Sequence, residues 1–154
     1  MKAHFARMIA YNEWANQRVL DKLAQHPDQT ESLGKLAHIA LAEKVWLSRL
    51  EGNPQKMDIF QNLSSEEIRN LLEEVKPKWQ LSLKLAEQSG FSSMLDYQSV
   101  KGDPFSNTLS DIFTHVLNHS TYHRAQVATL LRQQNIEPVV TDFIAFSRIF
   151  PVVV

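Results

Sequence analysis

Cysteine is absent from the 154 residues, which removes disulfides, thiolate metal sites, iron–sulfur clusters and cysteine nucleophiles. Glycine occurs only four times. Neither G-x-G-x-x-G nor G-x-x-x-x-G-K-[ST] can be written, so glycine-rich phosphate loops are excluded. An excess of charge is also missing: 16 Lys and Arg stand against 17 Asp and Glu. That balance argues against an extended nucleic-acid-binding surface, and no nucleic-acid partner is expected. No stretch approaches the ~18 unbroken apolar residues of a membrane span. The opening Met1-Lys2-Ala3-His4 lacks the apolar core of a secretion signal. These readings predict a cytoplasmic chain with no membrane partner. Repeats and low-complexity linkers are not visible, and the length suits one domain, taken as 1–154. At 44% hydrophobic residues the chain has enough apolar side chains for a sizeable core.

What is present is helical pattern. Phe5, Met8, Ile9, Ala15, Val19 and Leu23 recur at spacings of three and four and predict a helix over about 3–25, ended by Pro27 and Asp28. A second helix is predicted over about 31–51, closed by Gly52-Asn53-Pro54. Nine of the twelve residues from Leu36 to Leu47 are apolar, so this helix should be deeply buried. Ser64-Ser65-Glu66-Glu67 reads as a capping box for a third helix reaching about Ser89. Pro77 lies inside it and should kink it or remove one hydrogen bond. Residues 91–106 read as a short hairpin or an ordered loop. Thr108 to Asp111 then cap a fourth helix over about 109–134, and Thr141-Asp142 cap a short one over about 142–149. The expectation is an all-α four-helix bundle with long inter-helix connections and a short C-terminal helix.

The chemistry concentrates in six histidines: His4, His26, His38, His115, His119 and His123. For His4 and His26, near the ends of the first helix, an ordinary structural role suffices. In the fourth helix, three histidines recur every fourth residue. At ~100° per residue with Val116 at zero, Leu109, Ile112, Val116, Ser120, Val127 and Leu130 define a core stripe. His123 then lies at about −20°, His119 at about −60° and His115 at about −100°. Two histidines one turn apart in a core seam are costly unless their nitrogens are used. A shared metal ion uses them well; a water network or a pairing with Glu43 would be the structural alternatives. The second helix offers His38, the one polar residue between Leu36 and Leu41, as a third ligand. A three-histidine site leaves positions open for water or substrate. No Glu lies between His119 and His123, so this is not a zincin motif; a general base would be His115, Glu43 or the bound water. Trp14, Trp46 and Trp79 read as core packing, Asn12 and Asn16 as hydrogen bonders on one seam, and Arg124 as facing solvent or a neighbouring helix.

The run His115-Val116-Leu117-Asn118-His119-Ser120-Thr121-Tyr122-His123-Arg124-Ala125-Gln126 resembles the helix-four signature H-x-x-N-H-x-x-x-H-R-G-Q of the DinB/YfiT-like metalloenzymes. Ala125 stands where that signature usually has Gly. Tyr11-Asn12-Glu13-Trp14-Ala15-Asn16 and the segment from His38 through Glu43 to Trp46 resemble the first and second helices of the same family. The resemblance implies a four-helix bundle, often dimeric, with zinc or nickel on three histidines, here His38, His119 and His123. His115 matches a frequent position that is not normally a ligand.

The better understood members are thiol-dependent, so the resemblance implies a metal site that activates a low-molecular-weight thiol for transfer to a small electrophile. A hydrolase using bound water and a non-catalytic metal-binding stress-response protein are the alternatives. The C-terminal segment crowds Val139, Val140, Phe143, Ile144, Phe146, Ile149, Phe150, Val152, Val153 and Val154. Such a segment should cover the bundle end or pack on a second subunit, and a homodimer is expected.

Overall fold

Ser64 accepts a hydrogen bond from the Glu67 amide, and the Glu67 carboxylate accepts one from the Ser64 amide in return. This reciprocal cap starts α3 (Ser65–Ser89) where the sequence predicts it. Thr108 and Asp111 make the same arrangement at the head of α4 (Leu109–Gln133). Asp142, by contrast, makes no side-chain cap for α5 (Phe143–Ile149). Its backbone carbonyl accepts from the Ala145 and Phe146 amides instead. The first two helices are α1 (Lys2–Leu23) and α2 (Thr30–Leu50). Helix α1 therefore ends two residues before its expected limit, in turns that bond the Ala24, Gln25 and His26 amides back to the helix.

The computed structural model describes residues 1–99 and 101–151. Val152, Val153 and Val154, part of the apolar tail, lie outside the described residues. The described residues form five helices and one two-stranded sheet. The segment before α4 is a hairpin. Strand β1 (Met94–Gln98) pairs antiparallel with β2 (Pro104–Thr108), from Met94 opposite Thr108 to Gln98 opposite Pro104. Gly102, at φ +93°, makes the turn that a side chain would strain. Thr108 ends β2 and caps α4 at once, so strand passes into helix without a linker.

Helix α1 packs on α3 and α4, and α2 packs on the same two from the other side. The chain is mostly helical, as expected, with the hairpin as its one β element among the described residues. Helix α3 continues through Pro77. The proline lacks the amide that would bond the carbonyl of Glu73.

Among the described residues the interior has two large apolar clusters and a smaller one of Tyr11, Ala15 and Phe146 under α5. One of the large clusters gathers Phe5, Ile9, Leu47, Val75, Trp79, Phe113 and Val116. The other gathers Val19, Leu20, Leu36, Ile39, Ile68, Val127 and Leu131. Along α1, α2 and α4 a buried polar layer separates them: Asn12 and Asn16, Glu43, and Ser120 with Arg124. Arg124, read from the sequence as facing solvent or a neighbouring helix, is only 3% exposed and points at α1. Of the two alternatives the structure takes the neighbouring helix, because α4 packs against α1 as well as α2.

Candidate metal centre

His38 is buried on α2, and His119 and His123 are half-buried on α4. The helices bring the three rings together. Ring centroids are 4.9 Å apart for His38 and His119, and 4.5 Å apart for both His38–His123 and His119–His123. One ligating nitrogen from each ring lies within 4.8 Å of the others. Nε2 of His38 and Nε2 of His119 are 3.1 Å apart.

The outer nitrogens are already engaged. Nδ1 of His38 donates to the carbonyl oxygen of Ile59 at 2.9 Å. Nδ1 of His123 donates to Oε1 of Gln126 at 2.9 Å. A carbonyl oxygen can only accept, so both Nδ1 atoms carry a proton, and Nε2 is the atom each ring has left to offer a cation. With metal–nitrogen bonds of ~2.0–2.1 Å, two imidazole nitrogens on one ion stand about 3.0–3.4 Å apart. The His38–His119 separation falls in that range.

The electrostatics agree. Burial, followed by His123, His38 and His115, pushes His119 down to about 4. Burial also lowers His123, against the raising effect of its Gln126 hydrogen bond, with smaller lowering from His38 and Lys35. These imidazoles are neutral at physiological pH, the protonation state that metal ligation needs. The donor set, three imidazole nitrogens at this spacing, could hold a divalent ion.

Aromatic rings surround the cluster. Phe60 stacks on His38 at 4.8 Å with an 8° interplanar angle, though the phenyl group is 75% exposed. Tyr122 meets His123 edge-on. His115 lies one turn along α4 from His119, edge-on to Trp46 and exposed at its outer side. Burial, and then Arg49, lowers its pKa.

Glu43 lies elsewhere. Its carboxylate accepts from Asn12, Asn16 and Trp79 in the buried polar layer, and none of its hydrogen bonds involves a histidine. Burial pushes its pKa up, opposed by those donors and by the charge of Arg124. Trp79, read as core packing, is buried and also donates to Glu43. Sequence reasoning misses Ile59 and Phe60 entirely, because they come from the irregular segment between α2 and α3. Gln126 was detectable, since it stands three residues after His123 on the same helix.

Fold and site together define a mostly helical protein with a three-histidine cluster able to hold a metal ion. The DinB family model matches residues 1–149, and the chain belongs to the DinB family. It is similar to Protein DinB of Bacillus subtilis (strain 168), at 25% identity over 156 residues, covering 89% of this chain and 90% of that protein.

Proposed function

We propose that the protein is a single-domain metal-dependent enzyme, built as a four-helix bundle, in which His38, His119 and His123 hold one divalent ion, zinc or nickel. The observation that carries this reading is the convergence of three imidazoles, two of which, His38 and His123, have their outer Nδ1 atoms held by Ile59 and Gln126. Three protein ligands leave room for a substrate atom, the pattern of catalytic rather than structural sites.

A bound ion supplies Lewis acidity that lowers the pKa of a low-molecular-weight thiol toward neutrality, making it a nucleophile toward a small electrophile. The chain's own residues do the rest. Ile59 and Gln126 fix the tautomers and planes of two ligands. His115, neutral and one turn from His119, is placed to take or return a proton at the site's edge. Phe60 and Tyr122 flank the histidines and give a substrate an apolar approach. The exposed apolar face of α5 supports a homodimer.

The test is metal analysis of purified protein, followed by a thiol-conjugation screen with and without chelator. One divalent ion per chain is expected, lost in His123→Ala and largely kept in His115→Ala. Thiol consumption by the wild type should stop on chelation. A full metal complement in His123→Ala overturns the ligand set. Chelator-sensitive hydrolysis without thiol selects the water-activating reaction in place of thiol transfer.

A further inference from the structure

Glu43 is 3% exposed, yet three other helices supply its partners. Nδ2 of Asn12 and of Asn16, on α1, donate to its Oε1 at 2.8 and 3.1 Å. Nε1 of Trp79, on α3, donates to Oε2 at 2.9 Å. Oγ of Ser120, on α4, donates to the Val116 carbonyl at 2.9 Å and stands 3.5 Å from Oε1. The amide oxygens of the same two asparagines accept from Nη1 of Arg124, at 2.8 Å for Asn16. Two side-chain amides thus bridge a buried carboxylate and a buried guanidinium, and all four long helices meet in one layer.

This layer interleaves with the histidines. Ser120 follows His119, and Arg124 follows His123. On the facing helix Glu43 lies five residues beyond His38. The core on either side of the layer is apolar.

We propose that the Glu43–Asn12–Asn16–Arg124 layer, with Ser120, is a register lock that sets the axial position of α4 against α2 and so holds His119 and His123 opposite His38. Glu43 and Arg124 are positioning residues. The effect on metal affinity rests on the metal reading above; the effect on the imidazoles does not. The reason is directional. Apolar contacts discriminate weakly between neighbouring registers, since a slipped Val or Leu still finds apolar surface. A slip of one residue moves α4 by ~1.5 Å, which breaks the amide bridges and strands a buried charge. The same slip would carry His119 Nε2 out of its 3.1 Å approach to His38.

The test uses the full chain without metal. The Glu43→Leu/Arg124→Met double variant removes both charges together, so neither is left unpaired, and apolar replacements of this kind are often tolerated. The expected result is cooperative unfolding with shifted or broadened 15N imidazole resonances for His38, His119 and His123, while His4 and His26 keep theirs. Zinc affinity should fall about tenfold or more, with Glu43→Gln between the double variant and wild type. Wild-type resonances from the three histidines in the folded double variant would overturn the lock. Should that variant fail to fold, Asn16→Ala keeps both charges and removes one amide bridge between them; an unmoved His119 resonance there overturns the proposal equally. Displaced resonances in a chain whose wild type binds no zinc support the lock and reject the metal reading.

Discussion

His119 is the histidine of the cluster whose pKa is pushed down furthest. It sits between His38, His115 and His123, and burial together with these neighbours depresses its pKa to about 4. The unfolded chain takes up a proton at such a side chain near ~6.5, whereas the folded metal-free protein resists until about 4. The unfolded state therefore binds more protons between these values, and stability falls as pH drops through that window. Thermal unfolding of metal-free protein at a series of pH values should show the midpoint declining from about 6.5 toward about 4. His119→Ala should flatten that decline. An equal slope in wild type and variant would mean that the loss comes from other groups. Lowered values at His123 and His115 act in the same direction, so the variant keeps part of the slope.

Helix α3 carries a defect at Pro77. Pro77 is exposed in the middle of the helix, so its ring contributes little packing, while the carbonyl one turn before it has no amide to accept from. Pro77→Ala restores the amide and a better helix former. Denaturant unfolding should show the variant more stable by about 1–3 kcal/mol, with the histidine cluster untouched. A variant less stable than wild type would show that the proline shapes α3 for its packing. The caps of α3 and α4 are legible in the chain because capping is local: a Ser or Thr and an acidic residue three positions on suffice. Asp142 fails as a side-chain cap even though its residue type is suitable, because composition does not dictate where its carboxylate points.

At the scale of the molecule, the exposed apolar surface of the C-terminal region asks for a partner. Phe146 of α5 is buried against Tyr11 and Trp14 of α1. Phe143, Ile144, Ile149 and Phe150 keep between 38% and 58% of their surface exposed. Single exposed apolar residues are ordinary, but four of them on one short helix and its cap are not. Light scattering at dilute, near-physiological conditions should therefore give about 35 kDa, twice the 17.7 kDa of one chain. A mass of one chain would overturn the dimer.

The sequence by itself determined the helices, since periodicity and capping are properties of neighbours along the chain. It also identified the three histidines, because two stand on one helical seam and the third interrupts an apolar run. The hairpin remained an alternative to a loop, for a short strand needs its partner before its pattern acquires meaning. Only the tertiary structure decided that Arg124 faces inward, that Ile59 and Gln126 hold the outer nitrogens, and that Glu43 bonds to Asn12, Asn16 and Trp79 and to no histidine. These outcomes depend on which helix face meets which neighbour. That is settled by the packing of α1, α2, α3 and α4 against one another, where a buried polar group is tolerated only if distant residues in the chain supply its partners.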